Sequence, residues 1–172
     1  SVPPRCPQHL IDTFLERHRG WMQNKIAQMP EIDEIQEGFK IPIYGKSHLI
    51  EHSGKLRGAT KVVEHEYGNT LLISGEKSSV KRKVKDFLIK EAKIALQERC
   101  TLYANQINKP YKSICLRDTK SKWGSCTSDG KLSFSWRIIM TPPFVIDYLA
   151  AHEVAHLKEM NHKPKFWQLC EQ

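Results

Sequence analysis

The pattern of apolar and polar positions predicts helices in four stretches of the chain. Apolar residues recur every three or four positions over residues 7–29 and 78–106, and this spacing is typical of an amphipathic helix. A third helix is predicted after Thr141, which suits the cap position, with Pro142 in the first turn. A fourth helix is predicted to begin at Lys163. Each has an apolar face that can pack against the rest of the chain.

Between these helices, apolar residues alternate with polar ones, which predicts β-strands. The strands are predicted at residues 39–43, 61–64, 70–74 and 112–118, and residues 132–138 alternate in the same way. We expect the strands before residue 75 to form a small antiparallel sheet. Residues 128–130 supply a turn, so a β-hairpin should lead into the third helix.

Length and composition favour one domain with a buried core. The chain has 172 residues, of which 40% are hydrophobic, and this leaves room for a small subdomain. No apolar run approaches the ~20 residues needed to cross a membrane, so no membrane partner is expected.

The five cysteines are scattered and lack C-x-x-C spacing, which is typical of a reducing compartment. We therefore expect a cytoplasmic protein. The start at Ser1 resembles a fragment boundary, which leaves a removed leader open.

The charge of the chain favours an anionic partner. A net charge of +8 and a pI near 9.3 suit nucleic acid, a nucleotide or an acidic surface. The helix predicted at residues 78–106 begins with four cations, Lys81, Arg82, Lys83 and Lys85. Cations at a helix N terminus oppose the helix dipole, which suggests a purpose such as binding phosphates. A solvated basic face is the alternative.

The third predicted helix carries the motif His152-Glu153-x-x-His156. Two histidines four residues apart on a helix lie about 40° apart around its axis and roughly 6 Å apart along it. Both imidazoles can therefore reach one metal ion, while Glu153 is offset and can accept a proton from a water activated there. The pattern predicts a zinc hydrolase. His48, by contrast, has no partner at such spacing and is expected at the surface.

A catalytic zinc needs a third protein ligand, and His162 is the preferred candidate. A continuous helix would carry His162 away from the metal, so the chain must reverse after His156. Asn161 suits a left-handed position at the end of the helix, and a reversal there would bring His162 back. Glu159 competes as a ligand because it shares a face with His156. The metzincin pattern does not apply, because Glu159 replaces its glycine and ten residues after His162 leave no room for its methionine turn.

Several short motifs in the second half of the chain together resemble one family. In order they are Arg117-x-x-Lys120-x-Lys122-Trp123-Gly124-Ser125-Cys126, Asp147-Tyr148, His152-Glu153-x-x-His156, Asn161-His162 and Phe166-Trp167. The chain resembles the YgjP-like metallopeptidase family, which is related to the SprT-like and WLM zincins. We expect one such domain over residues 1–172. Residues 1–76 would form an N-terminal helix and a small β region, and residues 77–172 a zincin-like catalytic core. Members usually begin with further strands, so we expect truncation at the N terminus.

The resemblance implies an α+β fold of the zincin-like kind, with a small antiparallel sheet packed with a long helix and an HExxH active-site helix. It implies Zn²⁺ on His152, His156 and His162, with Glu153 as the general base. Family members act as metal-dependent hydrolases or peptidases, and part of the family as UTP pyrophosphatases. SprT-like relatives are DNA-associated proteases that act on DNA–protein crosslinks. The family usually has Asn where this chain has Ser135, so no role is carried over to that position.

A zinc-dependent peptidase is the preferred function, and its substrate is expected to contact the predicted hairpin. Arg117, Lys122 and the backbone at Gly124 and Ser125 are the candidates for binding substrate and stabilising the transition state. Gly124 is expected to permit a close backbone approach, and Cys126 lies near enough along the chain to touch the metal site.

Three other functions stay open. A UTP pyrophosphatase would hold phosphates with Arg117, Lys120 and Lys122, although the chain has no Gly-rich phosphate loop and no carboxylate cluster for magnesium. A DNA-associated, SprT-like protease would use the basic start of the second predicted helix. The third alternative is a non-enzymatic protein with a structural zinc. A ligand set of three histidines next to a glutamate argues against this alternative, because it leaves one coordination position of the zinc open. The sequence does not predict an oligomeric state.

Overall fold

A computed structural model describes residues 35–119 and 122–170 of the chain. This part combines helices with two small sheets, so it is a mixed α+β structure. The helix predicted over residues 7–29 lies outside the described residues, and so does Lys120.

The first sheet has four strands, β1 (Lys40–Ile43), β2 (Lys46–His52), β3 (Lys61–His65) and β4 (Gly68–Ile73). Their spatial order is β1-β2-β4-β3, and β2 runs parallel to β4. The prediction of an antiparallel sheet was therefore wrong for the central pair, although β3 and β4 form the antiparallel hairpin that the alternation predicted.

The pattern missed β2 because a histidine occupies one of its core positions. His48 is only 4% exposed and alternates into the core with Ile50, so the expectation of a surface histidine was wrong. Its Nδ1 lies 2.8 Å from the carbonyl oxygen of Lys46, and this hydrogen bond satisfies a ring nitrogen that burial removes from water.

Helix α1 (Val80–Gln106) is the long helix of the structure, and a short 3₁₀ helix (Lys77–Ser79) precedes it. Its apolar side packs against the first sheet, the second sheet and the helix that carries the histidine motif. The buried residues that form this side are Val80, Val84, Leu88, Ala92, Ala95, Leu96, Cys100 and Ala104.

The basic residues at the start of α1 contact groups of the chain itself. Arg82 forms an ion pair with Asp86, Lys85 forms one with Asp118, and the Lys83 ammonium donates to the carbonyl oxygen of Ser74. These contacts offset the unfavourable interaction of the cations with the helix dipole.

The second sheet consists of β5 (Ser113–Arg117), β6 (Gly124–Cys126) and β7 (Lys131–Ser135), in the order β5-β7-β6. Strands β6 and β7 form the predicted antiparallel hairpin, and β5 runs parallel to β7. Strand β6 therefore lies at an edge of this sheet. Gly124, the first residue of β6, lies against Glu153 of the histidine motif.

The strand predicted over residues 132–138 ends early, at Ser135. A 3₁₀ helix (Trp136–Met140) follows and buries Trp136 and Ile138 without strand pairing. Thr141 does not cap the next helix, because its hydroxyl donates to the carbonyl oxygen of Ile138 at 2.7 Å. Pro142 occupies the cap position instead.

Helix α2 (Pro143–Ala155) carries the histidine motif, and helix α3 (Pro164–Cys170) follows it. An ion pair joins α2 to α1, since Arg99 Nε lies 2.6 Å from Asp147 Oδ1. The side chains of the pair are 20% and 43% exposed, so solvent screens the interaction in part. No helix in the described residues is long and apolar enough to cross a membrane.

We expect Asp147→Asn to lower the free energy of unfolding by about 1 kcal/mol, because it weakens a charge-assisted hydrogen bond between two helices. The matched control is Asp86→Asn, which weakens the pair that Asp86 makes with Arg82 on the surface of α1, where the side chains are 69% and 60% exposed. This control should change stability by less than about 0.5 kcal/mol. Urea unfolding measures both, and equal effects would show that the Arg99 pair does not hold the helices together.

Candidate active site

Three histidines meet where helix α2 ends. His152 lies in the last turn of α2, His156 follows the final helical residue, and His162 lies in the loop before α3. One nitrogen of each ring lies within 4.8 Å of one nitrogen of each of the other two. The Nε2 atoms of His152 and His162 are 3.2 Å apart. Three convergent imidazole nitrogens suit zinc, so the residues present fit the metal that the sequence predicts.

The chain reverses earlier than predicted. Helix α2 ends at Ala155, and residues 156–158 turn away from the helix axis. Asn161 is not in a left-handed conformation, because Tyr44 and Asn108 are the non-glycine residues with positive φ in the described part of the chain. Its Oδ1 instead accepts from the backbone N–H of Lys163 at 3.3 Å. This bond helps to shape the loop that returns His162.

Two of the histidines have their Nδ1 atoms engaged by groups outside the cluster. His156 Nδ1 lies 3.0 Å from the carbonyl oxygen of Glu159, and His152 Nδ1 lies 3.3 Å from the hydroxyl of Tyr148. Glu159 thus meets His156 through its backbone. Its carboxylate is not in the ligand cluster formed by the described residues.

Two aromatic side chains of helix α3 pack against the histidine cluster. Phe166 is fully buried, and its ring centroid lies 4.9, 4.5 and 4.7 Å from those of His152, His156 and His162. Trp167 Nε1 donates to the carbonyl oxygen of His162 at 3.1 Å. The sequence identified these two aromatic residues as part of the family motif but gave them no role at the site. The available signal was their position shortly after His162, at the start of the next predicted helix.

Glu153 follows His152 on α2 and is buried, with 5% of its surface exposed. Burial raises the pKa of its carboxyl group from 4.5 to about 7. The carboxylate lies directly against β6: a Cβ atom added to Gly124 would come within 2.5 Å of Glu153 Oε1. The predicted close approach at Gly124 is thus present, and it is made to Glu153.

Because Gly124 leaves no room for a methyl group, Gly124→Ala should lower the free energy of unfolding by about 1–3 kcal/mol. The added Cβ must displace either β6 or the Glu153 side chain. Ser125→Ala is the control, since Ser125 is exposed on the same strand and should change stability by less than about 0.5 kcal/mol. Thermal or urea unfolding measures both. A Gly124→Ala protein as stable as the wild type would show that β6 or the Glu153 side chain moves at no cost in stability, and would contradict a tight contact there.

The other predicted substrate residues lie on the surface. The Arg117, Lys122 and Ser125 side chains are exposed, and the Lys122 carbonyl oxygen accepts from the Thr119 hydroxyl at 2.6 Å. Burial raises the pKa of the Cys126 thiol, and the negative charge of Glu153 adds to this effect, so that the pKa is about 11. Its sulfur is not part of the histidine cluster formed by the described residues.

A cluster of three histidines at the end of a helix is typical of a metal-dependent enzyme, and comparison with known families identifies which kind. The model of the YgjP-like metallopeptidase domain matches residues 1–172, and the chain belongs to that family. Membership supports a metallopeptidase, which is a hydrolase that uses a metal, usually zinc.

The chain shows limited similarity to solved structures and none to curated proteins. The crystal structure of the metallopeptidase zymogen of Pyrococcus abyssi abylysin is similar over 44% of this chain and 76% of that one, with 18% identity and a TM-score of 0.41. A search of the curated proteins found no match.

Proposed function

We propose that this chain is a zinc-dependent peptidase in which His152, His156 and His162 hold the metal and Glu153 is the general base. The observation that carries the proposal is the convergence of three imidazole nitrogens, and the buried Glu153 directly follows the first of these histidines in the chain. Family membership supplies the reaction class. The arrangement leaves a coordination position open for substrate or water, which is typical of a catalytic and not of a structural zinc.

A zinc ion held there would polarise the scissile carbonyl and make water a stronger acid. The chain's own residues do the rest. Glu153 follows His152 directly in the chain, and its carboxylate packs against Gly124 of β6. It takes the proton of the attacking water and passes it to the amine that leaves. Burial keeps most bulk water away from this carboxylate, which has 5% of its surface exposed.

The arrangement of α2 beside an edge strand supports a zincin-like core, with the active-site helix beneath β6. The division at residue 76 stays a prediction. We retain the cytoplasm as the proposed compartment, because the described cysteines Cys100, Cys115, Cys126 and Cys170 are all free thiols.

The alternative functions have weaker support. A nucleotide pyrophosphatase needs cations at the site, and the exposed Arg117 and Lys122 are the available candidates. A DNA-associated, SprT-like protease needs free cations, but Arg82, Lys83 and Lys85 already contact groups of the chain. DNA binding that weakens steeply with salt would favour this alternative.

Parallel assays of an unfolded protein and of UTP test the proposal. Zinc-loaded protein should cleave the polypeptide, and a chelator should stop the cleavage. UTP should stay intact with zinc and with magnesium. Turnover of UTP without any peptide cleavage would replace the peptidase with the pyrophosphatase.

A further inference from the structure

The hydroxyl of Tyr148 faces the candidate metal cluster from one helical turn below it. Tyr148 and His152 lie four residues apart on α2, so the helix itself sets their spacing. The oxygen lies 3.3 Å from His152 Nδ1, and the two ring centroids are 5.7 Å apart. This contact is made at the ring nitrogen other than the Nε2 that approaches His162.

The two nitrogens of His152 therefore have different neighbours. Nε2 lies 3.2 Å from Nε2 of His162 and so faces the point where the ligand atoms converge. Nδ1 faces Tyr148. A neutral imidazole carries one proton, and it offers a lone pair at Nε2 only when that proton is on Nδ1. A group that accepts a hydrogen bond from Nδ1 favours this tautomer.

His156 shows the same arrangement with a different partner. Its Nδ1 lies 3.0 Å from the carbonyl oxygen of Glu159, a group that only accepts hydrogen bonds. The backbone thus orients His156, and no substitution at Glu159 removes that carbonyl. For His152 the corresponding oxygen belongs to a side chain, so its contribution can be tested by a single substitution.

We infer that Tyr148 is a positioning residue of the metal site: its oxygen accepts the Nδ1–H of His152 and holds Nε2 toward the metal. The inference rests on the proposed function, since it takes His152 as a ligand. Tyr148 acts through His152 and touches no reacting atom. Outer partners of histidine ligands typically contribute 10–100-fold to metal affinity, and we expect Tyr148→Phe to weaken zinc binding by about that factor.

The matched control is Tyr111→Phe. Tyr111→Phe also removes a hydroxyl hydrogen bond, the one to Thr101 on α1 at 3.0 Å, and neither of these residues belongs to the histidine cluster. Both variants and the wild type are stripped of metal, and zinc affinity is measured by competition with a chromogenic chelator. Thermal unfolding of the metal-free proteins reports any loss of structure. Tyr111→Phe should bind zinc within about twofold of the wild type, and a wild-type affinity for Tyr148→Phe would overturn the inference.

A second measurement uses the wild type alone and so does not depend on how the variant folds. In the zinc-loaded protein, proton–nitrogen NMR should place a proton on Nδ1 of His152, protected from exchange relative to the exposed His65. Rapid exchange of that proton, or its absence, would contradict the inference while leaving zinc binding intact. A wild type that binds no zinc would instead overturn the proposed function, and the inference with it.

Discussion

Glu153→Gln should lower the rate of peptide cleavage about 10²–10⁴-fold, because glutamine cannot take a proton from the attacking water. Zinc should remain bound, since the three histidines are unchanged and the amide fills the same space against Gly124. The loss should appear in kcat, because the carboxylate acts in the chemical step and not in binding the peptide. Steady-state kinetics together with metal analysis of the same preparation measures both properties.

Glu159→Gln is the control for the Glu153 variant. It makes the same chemical change six residues along the chain, and the carbonyl oxygen that contacts His156 remains. Its activity should stay within about twofold of the wild type. Equal losses in the two variants, or full activity of Glu153→Gln, would remove Glu153 from the role of general base.

The second large effect concerns the metal-free protein. The pKa of Glu153 is about 7 in the folded chain and 4.5 for an ordinary glutamate. Between these values the folded state binds more protons than the unfolded state, so stability falls as pH rises through this window. Each pKa unit corresponds to about 1.4 kcal/mol, so Glu153 should remove about 3 kcal/mol of stability between pH 4 and pH 8.

Urea unfolding in the presence of a chelator tests this pH dependence. Other carboxylates also titrate, so the informative quantity is the difference between the wild type and Glu153→Gln at each pH. Glutamine has no proton to lose, and the variant should gain on the wild type steadily from pH 5 to pH 7. A constant difference over this range would mean that the buried carboxylate is not destabilising.

The candidate site was accessible from the sequence because its key residues lie close together in the chain. Helical spacing alone brings His152 and His156 to one side of α2. His162 required a reversal, and Asn161 indicated one, although Asn161 does not have the left-handed conformation that was expected there. The assignment of these residues as zinc ligands remains a proposal that the geometry supports.

The contacts that other elements make with the histidines and with Glu153 could not be predicted from spacing along the chain. Gly124 meets Glu153 through the packing of β6 on α2, and these two residues are about 30 positions apart in the chain. Phe166 and Trp167 are aromatic residues of a predicted helix, which indicates packing but not the identity of the partner. Their contacts with the histidines depend on where α3 folds back.

The sheets show the same limit. Alternation identified β1, β3, β4, β5 and the hairpin of β6 and β7. The pairs β3–β4 and β6–β7 were predictable because their strands are neighbours in the chain. The parallel pairs, β2 with β4 and β5 with β7, join strands separated by other elements, and no local pattern specifies them. Strand β2 was hidden further by the buried polar side chain of His48.

The most direct test of the central proposal is a zinc titration of peptide cleavage by metal-depleted protein. Cleavage of an unfolded polypeptide should rise linearly and saturate at about one zinc per chain, because one cluster of three histidines holds the ion. His156→Ala should fail to reach this activity at the same zinc concentrations, whereas His65→Ala, on the exposed end of β3, should match the wild type. Cleavage that is absent at every zinc level, or unaffected by His156→Ala, would contradict a zinc peptidase at this site.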